Sequence, residues 1–493
     1  MSPLLNFKKS PILDDVINLT KLRRRRVYLV GGYLRDLFLN RESLDFDFAV
    51  DSAAINFAQV LSKKLKSDFV VLDKEHGSAR LILKRGARYY TLDFTDFRGE
   101  SIEEDLLRRD FTINAMAVDI SKVEKREDID SVLIDPYSGR EDILKKNIKV
   151  VNKDTFSDDP LRILRLFSLS SVLKFRIDPD TLKLAKKDKE KLSSVSSERI
   201  REELFKILSS SSAANFLKAM DEVSILSKVI PEINIMRNVA QGPYHHLDVL
   251  EHSFETLAQI ENLFIQLKRN RKVTSYLDEV ISCSHTRRQL LKLAAFLHDI
   301  GKPDALTLEE GKTKFHGHEH IGRKLVSSIS ERLKLSVKEK ETIKTVVLWH
   351  LRPGYLADNE TISERAIFRY YRDTQNEGVS ILLLSMADQR ATRGPLTNEG
   401  ERKHHEKTCL WLIKEYFRRK EAKKMPKLIT GDDLIRRLRL TPGPLFGEIL
   451  AQIEEEQAAG EINTKKEALE LARKMAKYQR VKVSKTIIVN FRR

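Results

Sequence analysis

Acidic and aromatic side chains alternate without a break at Asp45, Phe46, Asp47 and Phe48. A period of two marks a strand with one buried face. Phe46 and Phe48 therefore enter a core, while Asp45 and Asp47 stand together on the opposite face. Two like charges held side by side repel unless a cation offsets them, and oxygen donors of this type suit Mg²⁺. The first part of the chain must fold as a sheet that leaves carboxylates accessible beside an apolar layer. Strand-like runs at 26–30, 68–72, 79–83 and 89–94 supply the rest of that sheet. One of them carries Asp93 between Leu92 and Phe94, where it completes an acidic triad. Three carboxylates holding two metals suit phosphoryl transfer, in which a hydroxyl attacks and pyrophosphate departs.

From about residue 151 the pattern turns helical. Leu161, Ile163, Leu164 and Phe167 follow Pro160 at helical spacing, with Asp158 and Asp159 near the positive end of that helix. The segment from Ser197 to Leu204 reads as another capped helix. The expected class is α+β: a small N-terminal mixed α/β sheet domain (1–150), then all-helical segments at 151–235, 236–395 and 396–493. Breaks are marked by the serine run 209–212, by Gln241, Gly242 and Pro243, and by Arg393, Gly394 and Pro395. A chain of 493 residues has room for several cores.

Lys and Arg outnumber Asp and Glu by 89 to 72, a net charge of +17. Such a surplus marks a nucleic-acid or anionic-surface partner. Two cysteines, Cys283 and Cys409, cannot build a disulfide framework and favour a reducing compartment. No apolar run approaches the roughly 20 residues that a membrane helix needs. The expectations are a cytoplasmic location and no membrane partner.

Gly31 and Gly32 follow the first strand and precede Arg35 and Asp36. A glycine pair at a strand-to-helix turn lets backbone N–H groups approach an anion, and it equally serves a tight turn. Further on, Arg108, Arg109, Asp110 and Asn114 crowd one short stretch after Asp105. They supply cations for phosphates, and amide or carboxylate partners for ribose hydroxyls. Asp135, Pro136 and Gly139 then form a turn.

In order, the motifs are G-G-x-x-R-D, D-x-D, R-R-D-F-T-I-N-A-M-A, D-P-x-x-G, D-D-P-L-R-I-L-R and S-x-E-R-I-R-E-E-L, running from Gly31 to Leu204. Together they resemble the bacterial tRNA nucleotidyltransferase and poly(A) polymerase family, of the class II nucleotidyltransferase type. The resemblance implies a template-independent enzyme that rebuilds the tRNA 3′ end from CTP, with ATP as the further candidate substrate. It implies that Asp45 and Asp47 hold catalytic Mg²⁺. Gly31, Gly32, Arg35, Arg108, Arg109, Asp110 and Asn114 would bind the nucleotide, and Asp159, Arg162 and Arg165 would recognise the base edge.

The chemistry of that last role is consistent. A carboxylate accepts from an exocyclic amine, and a guanidinium donates to a ring nitrogen or carbonyl. Asp159 and Arg162, three apart and read as sharing a helix face, can match C or A while disfavouring U and G. Asp158 stands where the family usually has glutamate. Only residues 94–107 separate Asp93 from Arg108, whereas relatives that add C, C and A typically carry a longer flexible segment here. The short segment is similar to that of CC-adding members. The expectation is therefore an enzyme that adds two cytidines, with full CCA addition close behind. A-adding activity or poly(A) addition to general RNA are the alternatives.

Nine of the twelve histidines lie between His245 and His350. His252, the adjacent His298 and Asp299, His318, His350 and Asp388 are spread over helical segments. Adjacent His and Asp at a helix end can ligate one metal together, and the later residues can complete one or two sites. This H…HD…H…H…D order, over roughly 240–395, resembles the HD metal-dependent phosphohydrolase domain. The resemblance implies His252, His298, Asp299 and Asp388 as ligands of a first divalent metal of unknown identity. His318 and His350 would serve a second, with His316 and His320 as alternatives to His318. The implied activity is hydrolysis of a phosphate ester, or of a cyclic phosphate at an RNA end. The other readings are a retained fold that helps to hold RNA, and a chain that is mainly such a hydrolase.

Arg418, Arg419, Lys420, Lys423, Lys424 and Lys427 form a basic stretch expected to track the backbone of the tRNA acceptor end. Glu454, Glu455 and Glu456 mark a face expected to stay away from RNA. No protein partner is implied.

Overall fold

The alternating segment becomes the middle of a seven-stranded sheet in the computed structural model, which describes residues 11–125, 129–422 and 426–490. Lys423 and Lys424 of the basic stretch lie outside the described residues. The strands are β1 (Val27–Val30), β2 (Asp45–Val50), β3 (Asp68–Asp73), β4 (Ser78–Arg85), β5 (Arg88–Asp96), β6 (Ala117–Asp119) and β7 (Leu133–Ile134). Their order across the sheet is β3-β4-β5-β2-β1-β6-β7. Every pairing is antiparallel except β2 with β5. Phe46, Phe48, Leu92 and Phe94 are buried on one face, where the Phe48 and Phe94 rings stack at 4.7 Å. Stacked aromatics on neighbouring strands bind β2 to β5 by side chains as well as by the ladder.

Three short helices adjoin the sheet: α1 (Gly32–Phe38), whose Tyr33 ring stacks on Phe46 at 4.4 Å, α2 (Ile102–Leu107) and α3 (Gly139–Leu144). The Asp135–Gly139 turn seats α3. Asp135 accepts from the N–H groups of Gly139 and Arg140 at 2.7 and 2.9 Å. Thr112 donates to Asp142 at 2.6 Å. A Cβ on Gly139 would lie 2.1 Å from the Thr112 carbonyl oxygen, so only glycine lets α3 close on the turn that carries Asn114. Gly139→Ala is expected to cost about 3 kcal/mol through forced displacement of backbone, read as a lowered urea midpoint.

Helix α4 (Arg162–Leu173) packs on α5 (Ser197–Ser209). Two expectations are corrected here. Asp158 ends a separate short helix, and Asp159 is extended (φ −147°, ψ 101°), so Asp159 precedes α4 and shares no helix face with Arg162. Pro160 explains this, since the residue before a proline is driven out of the helical region. Helix α5 forms as expected, but its cap, Ser196, makes no side-chain capping bond.

The chain divides into two compact units at Pro231 and Glu232. The sheet, α4 and α5 belong to the first. The second is built from α6 (Val249–Gln266), α7 (Arg287–Leu297), α8 (His318–Arg332), α9 (Val337–Trp349), α10 (Glu364–Thr374), α11 (Gly378–Ala391), α12 (Glu399–Glu421), α13 (Gly431–Leu438), α14 (Pro444–Ala458) and α15 (Lys465–Asn490). Helix α6 packs on α7 and α11, and α9 on α7 and α8. The chain is thus α+β, with the mixed seven-stranded sheet in its N-terminal part; the segments after it are helical apart from short two-stranded sheets, such as those within 280–286 and 307–314.

The acidic run at 454–456 has a structural role in this unit. Glu455 is buried and accepts from Arg369 at 2.5 Å and Arg372 at 3.3 Å, and Arg365 pairs with Glu456 at 2.5 Å. Helix α10 thereby clamps α14. In the basic stretch, Arg418 and Arg419 both donate to Glu415, and Lys427 pairs with Glu454. No helix among the described residues is long and apolar enough to cross a membrane.

Candidate active site and metal centre

Strands β2 and β5 run parallel with Asp45 opposite Thr91 and Asp47 opposite Asp93. Alternation then sets Asp45, Asp47 and Asp93 on one face, above the phenylalanines. Asp47 and Asp93 line a cavity of about 360 Å³, together with Gly31, Gly32, Arg109, Asp110, Asn114, Asp159, Arg162 and Arg165. Asp45 is exposed at the start of its strand and accepts from the Thr91 hydroxyl. Burial pushes the Asp47 carboxyl up from its ordinary range; Asp93 and Asp45 add to this, while Arg109 and Arg165 oppose it. Carboxylates that face one cavity in this way suit a divalent cation, which would relieve their repulsion.

The Gly31 backbone has φ +75°, and a Cβ there would lie 2.8 Å from Asp47 Oδ2 and 3.2 Å from Arg109. Gly31 is therefore glycine both for its left-handed backbone and for the close approach of the acid. Arg35 does not line the cavity. It donates to Asn114 at 2.8 Å and pairs with Asp36 at 2.9 Å, tying α1 to the Asn114 turn. Arg109 is held by Asp105 at 3.0 and 3.1 Å.

Asp110 is buried. It accepts from the Phe111 N–H at 2.8 Å and from Asn114 at 3.0 Å, and its other oxygen lies 3.1 Å from Arg165. Burial works to raise this carboxyl, but Arg165, Asn114 and the Phe111 N–H outweigh it and hold the group below its ordinary range. Arg165 is raised in return, chiefly by Asp110.

On another wall of the cavity, Asp159 accepts from Arg199 at 2.8 Å and from the Leu161 N–H at 3.2 Å. Arg162 is buried and donates to the carbonyls of Thr155 at 3.3 Å and Arg108 at 2.7 Å. The Arg108 side chain lines an adjoining cavity of about 710 Å³ that shares Arg98, Asp159 and Arg162 with the first. Sequence reasoning passed over Arg199, although it stands inside the S-x-E-R-I-R motif, and it passed over Arg80, which grips Asp93.

In the second unit, Asp299 is the hub. Its Oδ1 lies 3.3 Å from His318 Nε2 and 3.7 Å from His350 Nε2; its Oδ2 lies 3.1 Å from His298 Nε2 and 3.6 Å from His252 Nε2. Asp388 accepts from His252 at 2.9 Å and stands 3.8 Å from His298. His298, His318 and His350 each turn Nδ1 to a backbone carbonyl, those of Ala295, Phe315 and Val347, at 2.7–2.8 Å. That fixes the tautomer and aims every Nε2 inward, as in metal-ligating histidines. Buried His298 Nε2 makes no hydrogen bond, and Asp299 Oδ2 is held by an ion pair to Lys302.

Two triplets of donor atoms fall within 4.8 Å: His252, His298, Asp299 and Asp299, His318, His350. The donor set fits one or two divalent metals. Asp45, Asp47 and Asp93 do not converge so closely among the described residues. His320 is 70 % exposed and His316 is exposed, so His318 is the histidine that enters the cluster. Lys302 is a further member: its Nζ is 2.6 Å from Asp299 Oδ2 and 2.6 Å from Gln241 Oε1. The cluster opens into a cavity of about 660 Å³.

Four family models match in chain order. They are the Poly A polymerase head domain over 27–149, the "Probable RNA and SrmB- binding site of polymerase A" over 174–236, the HD domain over 249–392, and the tRNA nucleotidyltransferase domain 2 over 405–472. The A-adding tRNA nucleotidyltransferase of Deinococcus radiodurans is 30% identical over 447 residues, covering 89% of this chain and 93% of that protein. The CC-adding tRNA nucleotidyltransferase of Synechocystis sp. is 26% identical over 452 residues, covering 91% and 93%. A solved CCA-adding enzyme in complex with CTP matches with a TM-score of 0.63 at 25% identity, covering 95% of this chain and 96% of that one. On the full-length relative and the ordered domains together, the chain belongs to the tRNA nucleotidyltransferase family and is an enzyme of that class.

Proposed function

We propose that the first unit adds cytidines to the 3′ end of tRNA, two per molecule, by attack of the RNA 3′ hydroxyl on the α-phosphate of CTP. The observation that carries this reading is the pairing of Asp47 with Asp93 at the wall of a cavity whose other walls are Gly31, Arg109, Asp110 and Asn114. Asp47, with Asp45 and Asp93, would hold Mg²⁺, which when bound offsets charge on the attacking and leaving oxygens. Arg109 and Arg165 face the position of the triphosphate, and Asp110 with Asn114 offers an ordered acceptor and donor for the ribose. Asp159 and Arg162 select the base, with Arg199 holding one oxygen of Asp159.

The connection between β5 and α2 supports a pocket of fixed shape. The Phe97 N–H donates to the Val50 carbonyl at 2.9 Å, that of Arg98 to Asp105 at 3.2 Å, and that of Glu100 to Glu104 at 3.0 Å. A pinned connection of this length offers no lever for switching from one base to another, so we read the enzyme as a single-nucleotide specialist. A second reading, addition of adenosine to tRNA already ending in CC, is favoured by the A-adding relative at 30% identity.

The test supplies CTP or ATP separately to tRNA ending at the discriminator base and to tRNA ending in CC. The expected products are two cytidines on the first substrate and nothing on the second. Addition of one adenosine to the second alone would establish the A-adding reading, and a long adenosine tail on unrelated RNA would point to a polymerase.

We further propose that the His252–Asp388 cluster binds one or two divalent metals and hydrolyses phosphate esters at RNA ends. The inward-aimed Nε2 atoms and the two donor triplets that share Asp299 support this.

A further inference from the structure

In the acidic triad, Asp93 has both carboxylate oxygens engaged by a single cation. Arg80 sits on β4 directly across from Asp93 in the antiparallel register. Its Nε donates to Oδ1 and its Nη2 to Oδ2, both at 2.7 Å. This is a fork-to-carboxylate pair with two parallel bonds, the strongest geometry open to such partners. The side chains are 42 % and 24 % exposed, so water and small ions reach the pair. Asp45 and Asp47 also act on the Arg80 charge, after the hydrogen bond to Asp93, and favour its charged form. Arg80 therefore answers to the whole cluster. A simple cross-strand ion pair would bond Asp93 just as well, and the two roles differ in what happens when a metal arrives.

We propose that Arg80 is a counter-cation built into the triad: a positioning residue that satisfies Asp93 until a divalent ion takes its place. This rests on the reading of Asp45, Asp47 and Asp93 as a Mg²⁺ site. Metal binding there becomes an exchange, in which the guanidinium must release one or both Asp93 oxygens as the ion takes them. Removing Arg80 leaves like charges uncompensated and lowers the barrier to loading. The metal concentration at which the site fills is then set by a residue that is not itself a ligand.

The experiment titrates the full chain with Mn²⁺ and reads free Mn²⁺ by electron paramagnetic resonance. The histidine cluster of the second unit also takes up Mn²⁺, so the triad's share is defined as the binding that Asp47→Asn removes. Arg80→Met is expected to tighten that share about fivefold, the size of a partly exposed bidentate pair. Arg80→Lys, which keeps the charge but not the fork, should fall in between. In an Asp93→Asn background, Arg80→Met should bring no further tightening, because the two residues act as one unit. Unchanged or weaker binding in Arg80→Met, with the Asp47-dependent share intact, overturns the role of Arg80 and leaves the metal site standing. Absence of any Asp47-dependent share overturns both.

Discussion

Asp47→Asn is expected to reduce tRNA extension by a factor on the order of 10³ or more, the scale of losing a ligand that organises phosphoryl transfer. Asparagine keeps the shape of the side chain, so the sheet and the Phe46 and Phe48 layer beneath it should persist. What disappears is the negative charge that faces Asp93 across the β2–β5 pair and lies beside Arg109 and Arg165. The measurement is single-nucleotide extension of a labelled tRNA on a denaturing gel, run beside hydrolysis of a phosphodiester such as bis-p-nitrophenyl phosphate. Hydrolysis should be unchanged, because its site stands in a separate compact unit. Wild-type extension by the variant would rule out a metal held by Asp47.

Asp299→Asn is the reciprocal case. Both oxygens of Asp299 are committed, one towards His318 and His350 and the other towards His298 and His252. Replacing one oxygen by an NH₂ group takes an acceptor from one of the two triplets and the shared negative charge from both. Bound metal per chain, read by elemental analysis, should fall sharply, and phosphoester hydrolysis should drop roughly 10²-fold or more. Lys302 keeps Gln241 but loses its charge partner, which adds a folding cost of about 3 kcal/mol, the scale of leaving a buried charge uncompensated. Extension of tRNA should survive. Undiminished metal content would show that Asp299 is not the bridge.

How far these sites can be read from the chain depends on the range of the contacts. Alternation at 45–50 is local, and it correctly places two acids on one face and two phenylalanines on the other. That Asp93 faces Asp47 is not local: β2 and β5 are parallel neighbours joined through β3 and β4, and no pattern in either strand names its partner. The extended backbone of Asp159 is local too, because Pro160 disfavours a helical conformation in the residue before it. The Arg199 contact with Asp159 spans 40 residues, and only the motif around it hinted at a role. In the helical unit, the spacing of His252, His298, Asp299, His318, His350 and Asp388 was informative because few core histidines come in such a set. Lys302 escaped notice because a lysine near a helix end ordinarily reads as solvated. The burial of Glu455 is likewise not local, since its arginine partners lie 83 and 86 residues away.

In the proposed function, protein side chains, with no template strand, choose the base above Asp47 and Asp93. The direct measurement offers all four nucleoside triphosphates together to tRNA ending at the discriminator base and sequences the new 3′ ends. The prediction is one uniform product, two cytidines long, from the wild-type chain, and mixed or misincorporated ends from Asp159→Ala. Heterogeneous ends from the wild type, or no growth at all, would contradict it.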